Sequence, residues 1–413
     1  MPGLLITDVE YRGVVGDLLV SNTMISRLGG YDQIINGAGL IAVPAFDDAH
    51  VHFRDPGLTE KEDLLTGARA AAAGGYARVV CEPNTRPVID DAAQLRQHRQ
   101  RVHALGIPIT VEMKCALTLG QQGTALVNIP GILEHLPFGV DFSSDGEPVA
   151  DYDLLVRAFR LLSPPARLHL HCEATPHTET VMEDVFGPGP TLAREPALIA
   201  LALAALAEAG AGRLHIQHVS LAESALLIAD AKGKGLPVTA EVTPHHLLLC
   251  AEDIPSSDDG PDANWKMNPP LRSAADMFAM RRALAAGVID YIATDHAPHS
   301  PAEKAQPWDA APFGVIGLET AFAACLSLMY TGDLTFERLV AAMTGEADAY
   351  SRAFGYEAPN LTLIDPLLVW SVEPETFYSK GRNCPFAGMT LKGRPVYTIA
   401  NGQVVMAEGK VLF

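Results

Sequence analysis

His50 and His52 stand one residue apart just beyond the apolar run Leu40 to Phe46. In a strand, residues i and i+2 point to the same side, so both imidazoles would face one way while Val51 turns away. Two imidazoles held side by side are half of a metal site, although one His-x-His pair is equally compatible with ordinary hydrogen-bonding histidines. Later strand-like stretches end in similar residues: Phe142-Ser143-Ser144-Asp145-Gly146, His169-Leu170-His171-Cys172-Glu173, His215-Ile216-Gln217-His218 and Thr294-Asp295-His296-Ala297-Pro298-His299. Imidazole and carboxylate are ligands that suit zinc. Their recurrence at five strand ends favours metal-dependent chemistry over a scatter of structural histidines.

The strand period also ranks the histidines. His171 lies nearer the carboxyl end than His169 and is preferred as a ligand, which leaves His169 deeper as a packing or supporting residue. The same logic favours His218 over His215. His245 and His246 follow a strand, and His98, His103, His135 and His177 fall on helices or loops, so a solvated role is expected for all six.

These residues need a scaffold that gathers strand ends. From Val43 onward a short apolar strand repeatedly ends in polar residues and is followed by an Ala/Leu-rich helix. Helix Glu62 to Ala73 precedes a strand at Ala77 to Glu82, and helix Gln94 to Leu105 precedes one at Pro108 to Lys114. Further strands are expected at Phe138 to Phe142, Arg167 to His171, Arg213 to His218, Pro237 to Val242 and Val288 to Thr294, which with the opening strand makes eight. Eight strands alternating with helices suggest a closed (β/α)8 barrel of the TIM type, with a doubly wound open sheet as the alternative. In both architectures the carboxyl ends of the strands carry function. After helices at Leu318 to Met329 and Thr335 to Met343, short strands return at Leu361 to Ile364, Leu367 to Ser371, Val396 to Ile399 and Gln403 to Met406. Residues Leu4 to Gly29 have the same texture, and neither end is self-sufficient. Residues 1–42 and 356–413 are therefore expected to form one composite β-sandwich domain beside a catalytic barrel spanning 43–355.

A net charge of −19 with no basic cluster argues against nucleic acid and anionic membranes as partners, and an anionic substrate would need a local positive site. The longest apolar run, Ala197 to Ala207, is flanked by Glu195 and Glu208 and is shorter than the roughly 18 residues of a membrane span, so it reads as a buried helix. The first residues lack the basic stretch of a signal peptide, which makes the cytoplasm the expected compartment. Six cysteines without a Cys-x-x-Cys pair read as reduced, buried and structural.

The motifs resemble those of the dihydroorotases of the amidohydrolase superfamily over nearly the whole chain. The matching stretches are Asp48-Ala-His-Val-His-Phe-Arg-Asp-Pro-Gly57, Glu82-Pro-Asn-Thr85, Asp145-Gly146, His171-Cys-Glu173, His218-Val-Ser220, Lys266-Met-Asn-Pro-Pro-Leu-Arg272, Thr294-Asp-His-Ala-Pro-His299 and Pro312-Phe-Gly314. The resemblance implies a (β/α)8 barrel with a β domain made from both ends, and one or two zinc ions. It assigns His50, His52 and Asp295 to one ion, His171 and His218 to the second, and a bridging ligand between them. Many amidohydrolases bridge with a carboxylated lysine, but no lysine occurs from Cys115 through Ala231. The branch resembled uses an aspartate, which Asp145 matches; Ser144 stands where a second aspartate is common, and Lys114 is a distant second choice.

The implied reaction is reversible hydrolysis of the cyclic amide of dihydroorotate to N-carbamoyl-L-aspartate, in de novo pyrimidine biosynthesis. By the same resemblance Asp295 is both ligand and general acid/base. His52, Arg54, Asn84 and His299 meet the substrate and its carboxylate, while Asn268 and the backbone around Phe313 and Gly314 hold the ring. The bland alternative for Arg54 is a surface salt bridge with Glu60 or Glu62. A homo-oligomer is expected, with aspartate transcarbamoylase as a further partner. The rival readings are a hydantoinase or allantoinase, which generally relies on the missing lysine, and a non-catalytic dihydroorotase-like subunit that stabilises aspartate transcarbamoylase. Such subunits commonly lose ligands that are all present here.

Overall fold

The computed structural model describes residues 3–21, 24–26, 33–136, 139–173, 194–258, 260–354 and 360–413. His177 lies outside them, as does residue 356 at the expected domain boundary.

Eight parallel strands surround the centre: β1 Phe46–Val51, β2 Tyr76–Cys81, β3 Thr110–Met113 continued by Cys115–Ala116, β4 Phe142–Ser143, β5 Leu168–Leu170, β6 Leu214–Ile216, β7 Val238–Val242 and β8 Tyr291–Ile292. Their ladders form two sections, β1 to β3 and Cys115–Ala116 to β8. The sections meet at Lys114, whose N–H donates to Cys81 O while Cys115 N–H donates to Asp141 O, both at 3.0 Å. On the other side a parallel bridge joins Val51 to His296, and His52 N–H donates to His296 O at 2.8 Å. The fold is thus a (β/α)8 barrel, and every residue of β1 and β2 is buried, as strands covered on both faces require.

Local capping sets where the helices begin. Leu64–Ala73 starts two residues later than the apolar pattern suggests, because the Asp63 carboxylate accepts from the N–H groups of Leu65 and Thr66. Ala92–Ala104 starts two residues earlier, capped by Asp91 with Gln94 in return. The apolar run from Ala197 lies within helix Arg194–Ala209. The final helices are Ala321–Tyr330 and Phe336–Phe354. Among the described residues no helix is long and apolar enough to cross a membrane, and all six cysteines are buried and unpaired.

The two chain ends share one nine-stranded sheet, in the order Lys410–Val411, Gln403–Ala407, Thr390–Ala400, Leu361–Ser371, Ile41–Pro44, Leu4–Tyr11, Val14–Ser21 and Met24–Ser26, with Gln33–Asn36 pairing off Leu4–Tyr11. The run Leu40 to Phe46 is therefore split: Ile41–Pro44 joins this sheet and only Phe46 opens β1. Hydropathy cannot show a change of pairing partner inside one apolar run. Likewise the two short strands expected between Leu361 and Ser371 are one, with a register shift between Asp365 and Val369. This sheet seats on the first barrel helix: Thr362 Oγ1 donates to Gly75 O at 2.6 Å and Thr398 Oγ1 to Ala72 O at 2.7 Å.

Candidate active site

Asp145, just past β4, sits at the middle of four imidazoles. Its Oδ1 lies 3.3 Å from His50 Nε2, 3.5 Å from His171 Nδ1 and 3.6 Å from His218 Nε2, and its Oδ2 lies 3.5 Å from His52 Nε2. Asp295 joins from past β8, with Oδ1 3.0 Å from His52 Nε2 and 3.5 Å from His50 Nε2. His171 Nδ1 and His218 Nε2 stand 2.7 Å apart. The ligand-type atoms of His50, His52 and Asp295, and of His50, Asp145 and His218, are each close enough to share one cation. Arg54, His218 and Asp295 all take positive φ, at 56°, 31° and 47°. Left-handed backbone is uncommon for such residues, and strain of this kind gathers at sites where side-chain direction is dictated by neighbours.

The layer beneath fixes the imidazoles. His50 Nδ1–H donates to Glu241 Oε1 at 2.6 Å, which leaves Nε2 as the lone-pair nitrogen. That nitrogen is fully buried, has no hydrogen-bond partner among the described residues and is aimed at Asp145 and Asp295. A carboxylate behind a histidine whose far nitrogen is orphaned is the pattern of a metal-binding imidazole, so these residues fit a metal ion. His52 Nδ1–H donates to Asn84 Oδ1 at 3.0 Å, and Asn84 Nδ2 donates to Asp145 Oδ2 at 3.0 Å. When His50 and His52 are protonated, their charge outweighs burial and holds the Asp295 carboxyl at about 2. In that same protonated state His50 is the chief cause that holds Asp145 and Glu241 well below the ordinary carboxyl range, against burial.

Lys114 is turned to other work. Its ammonium, completely buried, is paired with Glu82, whose Oε2 accepts from Ser143 Oγ at 2.5 Å and whose Oε1 accepts from Gln217 Nε2 at 2.9 Å. His169 donates through Nε2 to Asp141 and His215 through Nε2 to Glu241, so both support the interior below the cluster.

Above the cluster lies a cavity of about 170 Å³ lined by His52, Arg54, Asn84, Asp145, Gly146, His171, Asn268, Asp295, Ala297, Phe313 and Gly314. Arg54 is the permanent cation among the described residues of that lining. It does not pair with Glu60 or Glu62; its Nε donates to Pro298 O at 3.3 Å and its NH2 lies 3.4 Å from His299 Nε2. His299 is kept neutral, at about 3, by burial and by Arg54, and its Nε2–H donates to Phe313 O at 2.8 Å. Asn268 Nδ2 lies 3.2 Å from His171 Nε2.

Glu241 was not among the residues singled out by sequence, although a carboxylate inside the apolar strand Val238–Val242 is a signal that could have found it. Glu82 was noted only as part of a motif. The expectation that His98, His245 and His246 are solvated is corrected: all three are buried. His246 is held by Thr243 Oγ1 and Pro269 O, while His98 lies on the inward face of its helix. A burial pattern on a short or polar helix is hidden until its packing partner is known.

The amidohydrolase family pattern matches residues 41–405. Among similar proteins, the dihydroorotase of Geobacillus sp. (strain WCH70) is 39% identical over 95% of this chain and 95% of its own. That of Bacillus subtilis (strain 168) is 38% identical over 96% and 95%. That of Anaeromyxobacter sp. (strain K) is 42% identical over 89% and 86%. The fold is also that of the L-hydantoinase (dihydropyrimidinase) from Arthrobacter aurescens, with a TM-score of 0.84 at 23% identity, covering 100% of this chain and 98% of that one.

Proposed function

Because the chain belongs to the amidohydrolase family and is a cyclic amide hydrolase of the dihydroorotase type, we propose that it interconverts dihydroorotate and N-carbamoyl-L-aspartate in de novo pyrimidine biosynthesis. The observation that carries this reading is Asp145 in reach of four imidazoles, beneath a cavity whose lining contains Arg54. We further propose that the metal is zinc, with His50, His52 and Asp295 holding one ion, His171 and His218 a second, and Asp145 between them. When bound, zinc supplies polarisation of the amide carbonyl and a lowered pKa for water.

The chain's own residues do the rest. Asp295 faces the cavity, placed to accept a proton from the attacking water and return it to the leaving nitrogen. Arg54 meets the substrate carboxylate with a planar pair of donors. His299, being neutral, contributes a hydrogen bond rather than charge. Asn84 and Asn268 bond to the ligand histidines as well as lining the cavity, so each orients an imidazole and faces the ring. Phe313 and Gly314 form the wall against which the ring rests.

Assay of the purified protein with dihydroorotate, hydantoin and allantoin, alongside metal analysis, tests the reading. Turnover of dihydroorotate far above the other two, with zinc at one or two ions per chain, is expected; preference for hydantoin or allantoin, or no turnover at all, would overturn it. The hydantoinase reading draws no support from Lys114, which is paired with Glu82. The same proposal divides the chain into a composite end domain, 1–42 with 356–413, and a barrel, 43–355, with strand Ile41–Pro44 crossing the first boundary. It also includes a cytoplasmic homo-oligomer and aspartate transcarbamoylase as a partner, which sizing with and without that enzyme would check.

A further inference from the structure

We infer that Asn383 is a positioning residue for substrate capture, its one carboxamide tying together the two loops that carry His299 and Gly314. The inference rests on the reading above that those loops hold the substrate.

Asn383 belongs to residues 372–389, which leave the end sheet after Leu361–Ser371 and return to it at Thr390–Ala400. This excursion crosses to the barrel mouth. Val372, Phe377, Cys384 and Phe386 are buried in one hydrophobic cluster with Trp265, Met267, Val315 and Ile316, the residues flanking Asn268 and Gly314. The end domain therefore reaches the substrate cavity from behind.

At the inner end of the excursion Asn383 is 1% exposed. Its Nδ2 donates to Ala297 O at 3.0 Å and to Gly314 O at 2.9 Å, and its Oδ1 accepts from His299 N–H at 3.2 Å. Its backbone O accepts from Ile316 N–H at 2.9 Å. A carboxamide presents two donors and an acceptor in one plane, and here all three are used on backbone groups of the two loops. Gly314 N–H donates in turn to Lys266 O at 2.9 Å, which brings the Asn268 loop into the same frame. The fit is close: a Cβ on Gly314, where φ is 136°, would lie 2.7 Å from Ala297 O.

Among the described residues, the hydrogen bonds of the Asn383 side chain go to backbone groups and not to an imidazole ring or carboxylate of the cluster around Asp145. Loss of the amide should therefore displace His299 and Gly314 while leaving the metal ligands in place. A shift of that kind weakens substrate binding before it affects the chemical step.

The test compares Asn383→Ala with His299→Ala in dihydroorotate kinetics, with metal content and thermal midpoint measured on the same samples. For Asn383→Ala, KM is expected to rise about 10-fold or more, with metal content unchanged and kcat within about threefold of the parent enzyme. If His299→Ala raises KM and Asn383→Ala does not, the inference is overturned while the substrate reading stands. If neither variant moves KM, the substrate reading itself fails. Parallel loss of kcat, metal and thermal midpoint in Asn383→Ala would make the residue one of general folding and overturn the inference as well. Should that variant not fold, Asn383→Asp carries the same test, since it keeps an acceptor for His299 N–H and loses both donors to Ala297 O and Gly314 O. A raised KM supports the inference there and an unchanged KM overturns it.

Discussion

His50 donates through Nδ1 to Glu241 at 2.6 Å, and the opposite nitrogen, buried without a hydrogen-bond partner among the described residues, lies 3.3 Å from Asp145. The carboxylate in β7 thus decides which nitrogen of an imidazole in β1 is free to bind a metal. Glu241→Gln removes the charge that raises His50 basicity and leaves a similar shape. Metal affinity should fall about 10–100-fold, measured by competition with a chromophoric chelator. Retention equal to the parent enzyme would remove Glu241 from the support of the site.

Asp145→Ala deletes a side chain in reach of all four histidines. Metal per chain should drop and activity with it, read by elemental analysis and initial rates. Full metal and full rate in this variant would return attention to Lys114, which would first have to leave Glu82.

Asp295→Asn keeps the size of the side chain and removes its basicity. Turnover should fall by about 10²–10⁴-fold with most metal still bound, the range of a positioned acid/base. Near-normal kcat would refute its role as proton carrier.

Arg54→Met removes a permanent cation from the cavity lining. An increase in KM for dihydroorotate of about 10–100-fold is expected, from a lost charge-assisted pair, with a smaller change in kcat. Arg54→Lys should recover little of it, because an ammonium lacks the planar fork. An unchanged KM in the Met variant would take Arg54 out of substrate binding.

His98 is buried on the inward face of its helix, with its pKa pushed down to about 4 chiefly by burial. In the unfolded chain the ring titrates at about 6.5. Above that value it is neutral in both states and its contribution to stability is fully present. As pH falls from about 6.5 through about 4 the unfolded chain takes up a proton that the fold resists, so this contribution is lost. Urea midpoints should decline over that window, less steeply in His98→Leu than in the parent protein. Equal slopes would mean that His98 is not held neutral.

Much of the fold was legible in local pattern. The alternation of short apolar strands with Ala/Leu-rich helices is a property of neighbouring residues, and it marked the positions of the barrel strands, though β4 meets its expected stretch only at Phe142, the stretch's start at Phe138 lying outside the described residues, and β8 is shorter than its apolar run. The division of Leu40 to Phe46 between two sheets was not legible, because hydropathy records that a segment is buried and not which strand it pairs with. The burial of His98, His245 and His246 was hidden for a related reason: the surface that covers each one comes from elsewhere in the chain.

At the site, sequence alone determined the residue types and their alternation: His50 and His52 on one side of a strand, His171 and His218 nearer the strand ends than His169 and His215, Asp145 and Asp295 past two further strands. Only the tertiary structure decided their company. Glu241 lies 191 positions from His50, and Asn84 lies between His52 and Asp145. Asn383 comes from the far end of the chain to hold His299 and Gly314. Periodicity tells which way a side chain points from its own backbone. What it meets there depends on barrel closure, which brings distant strand ends within hydrogen-bond reach and leaves no trace in local spacing.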